Sequence, residues 1–246
     1  MTFLKFTLQY KVLFKIMQPN QIRIFFRISR ATLSLALLSA LCCLLLIIRA
    51  VQTEQLRGLF LLWNLFLAWM PLFFALVARR LSSSAFISKP RQLLILINLG
   101  FWLLFFPNAP YLITDLMHLG EYNNQILWFD TVGFFIAALA GICTGLYSLQ
   151  VTHEVLNQFI NNVLAWVVIS ASIVLSGFGL YLGRFVRFNS WDLFTNPFYL
   201  LRKSFQELQN PLAIQTTLVF TLVVAVLYVS MLILIPNRDA NLKNAA

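Results

Sequence analysis

The sequence predicts an all-α protein, a polytopic transmembrane helical bundle with about six spans. The chain is 60% hydrophobic and only 11% charged, whereas a soluble domain has roughly 25% charged residues. A bilayer core of about 30 Å is crossed by about 20 apolar residues in a helix. Six apolar runs have that length, and they cover residues 28–48, 57–78, 92–114, 127–149, 162–183 and 214–235.

These runs divide the chain into three parts. Residues 1–27 are a basic N-terminal segment, 28–236 the transmembrane helical domain, and 237–246 a short C-terminal tail. The N-terminal segment mixes lysine and arginine with phenylalanine, which fits a short helix lying on the membrane surface. A disordered cationic tail is the alternative.

The net charge of +10 is a membrane signal, because the basic residues flank the apolar runs. Nucleic acid is therefore not expected as a partner, whereas anionic membrane lipids are. Threading six spans from a cytoplasmic N-terminus puts twelve of the 18 Lys and Arg residues on the cytoplasmic side and six outside. This bias predicts a multi-pass protein with both termini in the cytoplasm.

The connection between the fifth and sixth spans is the longest. Asn196-Pro197 is a good helix start, and apolar residues at 198, 201, 205 and 208 then recur at helical spacing. We expect an amphipathic helix lying in the outer interface. A re-entrant hairpin across residues 184–212 is the alternative.

The fourth span has a face of small residues, which lets two helix backbones approach closely. Its members are Gly133, Ala137, Gly141 and Gly145. This face suits packing within the bundle, a protein partner or a homo-oligomer. Asp130 lies on the same face, so its side chain should point into the bundle.

Polar residues from separate stretches converge on the outer side in this threading. Prolines on both sides of Asn108 should interrupt the third span and free backbone polar groups. Arg184 and Arg187 share a face if their helix persists, and an uncompensated pair of arginines suits a phosphate or carboxylate. The predicted ligand-binding residues are Asn64, Asn108, Arg184, Arg187, Asn189, Trp191 and Asp192, and the catalytic candidates are Asp115, His118 and Asp130.

A structural network is the alternative, because interfacial arginine and aspartate often form ion pairs that hold helix ends. Either aspartate is a candidate partner for the two arginines. Asp115, His118 and Glu121 recur every three residues, but this spacing is weak evidence for a metal. No motif for a cofactor, phosphate-binding loop or zinc protease is present, so neither cofactor nor metal is expected.

Four sequence blocks resemble a known family. They cover residues 63–72, 106–116, 128–130 and 182–192, the last followed by Asn196-Pro197. Together they are similar to the domain of unknown function 1361 family over about residues 50–210. Phe188 stands where that family pattern leads us to expect Trp. The resemblance implies a small polytopic protein of a bacterial cytoplasmic membrane, and it implies no particular activity.

Three functions fit these observations. The first is binding or modification of an anionic lipid or isoprenoid headgroup at the outer polar site, where an aspartate or His118 would supply acid–base chemistry. The second is a non-catalytic scaffold or partner subunit. The third is a small transporter, although the sequence has no sign of an inverted repeat.

Overall fold

The computed structural model describes residues 29–54, 56, 58–83, 88–121 and 126–234. The predicted surface helix or tail of residues 1–27 and the C-terminal tail of 237–246 lie outside these residues. The chain divides into two units, residues 1–37 and 38–246. In the first unit, the Ser29 hydroxyl accepts a hydrogen bond from the Thr32 amide at 3.0 Å and so caps the helix that begins at Arg30.

The described residues are mostly helical, as the sequence predicts, and none of them is in a strand. Within these described ranges, six helical stretches are long and apolar enough to cross a membrane. The helices are α1 Arg30–Thr53, α2 Phe60–Ser82, α3 Lys89–Phe105, α4 Asn108–Thr114, α5 Leu127–Leu156, α6 Asn162–Tyr181, α7 Asp192–Thr195, α8 Pro197–Glu207 and α9 Pro211–Leu234. A 3₁₀ helix covers Asp115–Glu121, and a π-helical turn covers Leu182–Val186.

The helix α5 is the centre of the second unit. It packs against α2 and α4, while α3 packs on α2 and α9 packs on α6. It extends to Leu156, seven residues beyond the predicted end of the fourth span, because Val151 and Val155 are buried apolar positions that continue its packing. The connection predicted for residues 150–161 is correspondingly short.

The third crossing is interrupted at its prolines, as predicted. α3 ends at Phe105, and α4 begins at Asn108, next to Pro107. The Asn108 side-chain amide donates to the Phe105 carbonyl at 2.9 Å, which satisfies a group at the broken helix end. Phe106 and Pro107 keep right-handed helical backbone angles, so the chain continues from α3 into α4 across this break.

The small-residue face of α5 is the contact surface for α4. A Cβ added to Gly145 would lie 2.7 Å from Ala109 Cβ, and one on Gly141 would lie 2.7 Å from the Ala109 carbonyl oxygen. The absence of side chains at these glycines therefore allows the interrupted segment to lie directly on α5.

Alanine substitutions on α5 test whether its glycines are needed for the close contact with α4. Gly141→Ala should lower the free energy of unfolding by about 1–3 kcal/mol, because its methyl group would overlap the backbone of α4. Gly133→Ala is the matched control, since nothing lies within 4 Å of a Cβ there. It should be neutral or stabilising by up to about 1 kcal/mol. Denaturant titration in detergent micelles measures both, and equal effects would contradict the close packing of α4.

Candidate functional site

The carboxylate of Asp115 joins three separate segments at one end of the bundle. Asn64 of α2 donates its side-chain amide to Asp115 Oδ2 at 2.8 Å, and Arg184 approaches Asp115 Oδ1 at 3.4 Å. Asp115 itself is only 1% exposed. We call this end, where α2 begins and where α4 and α6 end, the rim. The structure thus brings together Asn64, Asp115 and Arg184 as the threading predicted.

His118 completes this network. Its Nε2 atom lies 3.1 Å from Arg184 Nη1, and because the guanidinium only donates, the imidazole nitrogen must accept. Arg184 also lies over the Tyr111 ring at 5.8 Å. Arg184 is consequently compensated, so it cannot belong to the uncompensated pair of arginines that the sequence offers as an anion site.

Arg187 does not share a face with Arg184. α6 ends in the π-helical turn Leu182–Val186, and Arg187 takes a left-handed conformation with φ 65°. This conformation is typical of the residue that closes a helix. The helix therefore does not persist, which was the condition for the predicted arginine pair. Arg187 is exposed and forms no ion pair with another described residue.

A cavity of about 280 Å³ opens beside this network. Its polar lining comes from Asn64, Asn108, Asn189 and Ser190. The rest of the wall is apolar, aromatic or glycine: Trp63, Leu67, Leu103, Leu104, Pro107, Tyr111, Gly179, Leu182, Gly183, Phe188 and Leu200. Of the described residues, no charged side chain lines the cavity.

Glycine and proline shape the floor of the cavity. A Cβ at Gly179 would lie 2.7 Å from Pro107 Cγ, so α6 approaches the interrupted third crossing closely. Asn108 reaches across this contact and donates to the Ser190 hydroxyl at 3.1 Å, in addition to its bond to Phe105. The break in the helix thus positions an amide at the cavity wall.

The other predicted ligand residues stabilise the loop after α6. The Asp192 carboxylate accepts a hydrogen bond from the Asn189 backbone amide at 2.7 Å, which stabilises the turn before α7. The Trp191 ring packs on Trp63, with centroids 6.3 Å apart. Asn189 lines the cavity, whereas Trp191 and Asp192 do not.

Asp130 lies in a separate buried ion pair. It points into the bundle, as predicted, but its partner is Arg49 of α1, with Arg49 Nε 2.5 Å from Asp130 Oδ1. Both residues are at most 5% exposed. The suggested pairing of Asp130 with Arg184 or Arg187 is therefore wrong. Asp130 lies on α5 near Arg49, while Arg184 is already occupied by Asp115.

The structure adds groups that the sequence analysis did not single out. Tyr111 and Ser190 line the cavity, and Glu207 accepts a hydrogen bond from the Tyr181 hydroxyl at 2.7 Å. Tyr111 and Ser190 lie inside the blocks that carry the family resemblance, which was the available signal. The pairing of Glu207 with Tyr181 has no sequence signal, because the two are 26 residues apart.

Among the described residues, no group of three His, Cys, Asp or Glu side chains could hold a metal ion. The side chain of Glu121, one member of the spaced triplet, lies outside those residues. Asp115 and His118 are instead engaged by Arg184.

The fold and the site define a multi-pass membrane protein with a partly polar cavity at one end of its helices. The family described as "Protein of unknown function (DUF1361)" matches residues 63–231, which is more than half of the chain. The chain belongs to this family, as its sequence blocks indicate. No curated protein and no solved structure matches it.

Breaking the buried ion pair should be costly. Arg49→Met should lower the free energy of unfolding by about 3–5 kcal/mol, because Asp130 would stay buried without its partner. Arg49→Met with Asp130→Leu should recover most of the loss. Arg79→Met is the control, since Arg79 and Glu154 form a more exposed pair at 3.7 Å, and it should cost at most about 1 kcal/mol. A double variant as unstable as the single one would contradict this assignment.

The Glu207 contacts predict a pH dependence at the end of α8. Hydrogen bonds from Lys203, then Tyr181 and Asn210, lower the pKa of Glu207 from 4.5 to about 2. A lowered carboxyl pKa stabilises the folded state above the unfolded value, and that stabilisation is lost as pH falls through about 2. The difference in thermal midpoint between the wild type and Glu207→Gln should therefore be constant above pH 4.5 and shrink below it.

Lys203→Gln tests the cause of this shift. Without the ammonium group, the pKa of Glu207 should return toward its ordinary value, and the loss of stability on acidification should begin at higher pH. An unchanged acid profile in this variant would show that Lys203 does not lower the pKa.

Proposed function

We propose that this protein binds an anionic amphiphile, a phospholipid or an isoprenoid phosphate, at the rim. The cavity carries the proposal, because it has amide and hydroxyl groups on one part of its wall and leucines on another. A ligand with a polar head and an apolar chain matches this division. We place the site on the extracytoplasmic face of a bacterial cytoplasmic membrane, with both termini in the cytoplasm, from the distribution of lysine and arginine.

The size of the cavity suits part of a lipid. Its volume of about 280 Å³ is close to the lower limit of small-molecule sites, about 300 Å³. It therefore holds the headgroup region and the start of a chain, with the remaining chain in the surrounding bilayer. Leu67, Leu103 and Leu104 contact the chain in this arrangement.

Arg187 is the cation available to an anionic head. Arg184 already bonds Asp115 and His118, and using it for a ligand would leave the buried Asp115 carboxylate with less compensation. Arg187 directly precedes the lining residues Phe188, Asn189 and Ser190, and it is exposed. The phosphate would thus lie above the uncharged cavity, beside Arg187.

Binding is a better proposal than catalysis or transport. Asp115 and His118, the acid–base candidates, do not line the cavity. A transporter needs polar groups along a path across the membrane. On the α3 side of Asn108, the cavity is instead lined by Leu103 and Leu104.

Native mass spectrometry of the protein purified in mild detergent tests the proposal. The wild type should retain a phospholipid or an isoprenoid phosphate, and the mass identifies which. Leu104→Trp should lose this adduct, because the indole fills the cavity. Leu96→Trp is the matched control on the same helix, since Leu96 is exposed and does not line the cavity. Equal retention by both variants would refute the site.

The role of charge is tested by adding defined lipids to delipidated protein. Arg187→Gln should weaken binding of a phosphate-bearing amphiphile about 10- to 150-fold, since a charge-assisted hydrogen bond contributes about 1.5–3 kcal/mol. Arg202→Gln, an exposed arginine on α8, should change it little. Equal weakening by both would indicate nonspecific attraction to the basic surface. In the native mass spectra described above, a stoichiometric protein partner in place of lipid would support the scaffold alternative.

A further inference from the structure

We infer that residues 187–210 form a re-entrant hairpin, whose α8 is the lipid-side wall of the cavity. The sequence predicts an amphipathic helix here and leaves two placements, flat in the interface or dipping into the apolar layer. The inference depends on the geometry of the chain alone and is independent of the proposed ligand.

The contact of α7 with α3 gives the depth of the hairpin. The rings of Phe194 and Phe101 lie 6.3 Å apart. Phe101 is twelve residues from the start of α3 at Lys89, a rise of roughly 18 Å, which is close to half of an apolar core of about 30 Å. The neighbouring Trp102 donates to Ser148, within the buried part of α5. Phe194 therefore lies near the middle of the apolar layer.

Both limbs of the hairpin return to the rim. On the first limb, Trp191 packs on Trp63, which is three residues after the start of α2. On the second limb, Glu207 at the end of α8 binds Tyr181 at the end of α6. α8 has 11 residues and a length of about 16 Å, which covers the distance from the middle of the layer to its edge. A helix lying flat at the rim would not place Phe194 beside Phe101.

Several backbone groups of the hairpin have partners within the segment itself, which favours a position in the apolar layer. The Phe188 amide donates to the Leu182 carbonyl, and the Asn189 amide donates to Asp192 Oδ2. At the tip, the Thr195 and Asn196 amides donate to the carbonyls of residues 191 and 192. The next residue is Pro197, which has no amide hydrogen to satisfy.

The two faces of α8 meet different surroundings. Leu200 lines the cavity, whereas Phe198 and Phe205 are 86% and 70% exposed and suit contact with lipid chains. Lys203 pairs with Glu207 at 2.7 Å, near the rim. The long side chain of Arg202 can extend toward the same end.

Spin-label accessibility in lipid bilayers tests the inference on two matched positions. Phe198→Cys and Phe205→Cys lie on the same exposed apolar face of α8, about 10 Å apart along its axis. Each is made after Cys42, Cys43 and Cys143 are replaced by Ala, labelled with a nitroxide and probed with oxygen and a water-soluble nickel complex. In a re-entrant helix, the ratio of oxygen to nickel accessibility should be several-fold higher at 198 than at 205. In a helix lying flat, the two ratios should be equal.

Two reference positions calibrate the depth. Leu218→Cys on the exposed side of α9 reports the hydrocarbon, and Gln209→Cys beyond the end of α8 reports the rim. Phe194→Cys should match Leu218→Cys. If both 194 and 198 resemble Gln209→Cys, the inference is overturned. If the 194 variant does not fold, the comparison of 198 with 205 decides alone. No ligand is involved, so failure here leaves the lipid-binding proposal open to its own test.

Discussion

The interruption of the third crossing at Pro107 is the constraint on which the cavity depends. A backbone polar group in the apolar layer must find a partner in the protein. Asn108 provides one by bonding the Phe105 carbonyl, and the same amide bonds Ser190 in the loop after α6. The break is thus stabilised by a group that also lies in the cavity wall. Gly179 and Gly145 then allow the interrupted segment to pack closely on two neighbouring helices.

The charged residues of the bundle differ in whether they have an ion-pair partner, and this difference separates those that stabilise the fold from those that could bind a ligand. Asp130 is neutralised by Arg49, and Asp115 by Arg184. These pairs are nearly buried, so each partner is needed to keep the other in place. Arg187 is different, because the end of α6 turns it away from Arg184 and leaves it exposed. The lipid proposal uses this difference: among the described residues, no charged side chain lines the cavity, and none forms an ion pair with the neighbouring Arg187.

Hydropathy was sufficient to predict the six crossings, since length and apolar content are properties of the local sequence. The prolines at 107 and 110 likewise predicted the interrupted helix, and threading predicted the meeting of Asn64, Asp115 and Arg184. Two errors have a different origin. The partner of Asp130 depends on how α1 packs against α5, and the face of Arg187 depends on a left-handed residue at a helix end. Neither is encoded in spacing along the chain.

The re-entrant segment explains how a short amphipathic helix and a cavity occur together. A helix flat in the interface would leave the space beside Leu103 and Leu104 open to lipid along its length. A hairpin that descends beside α3 closes this side with Leu200 and presents Phe198 to the bilayer instead. Glu207 fixes the upper end of the hairpin to Tyr181, while the lower end is held by ring contacts such as Phe194 with Phe101. Movement of the lower end would therefore open the cavity toward the chains of neighbouring lipids, which is the direction from which a lipid ligand would enter.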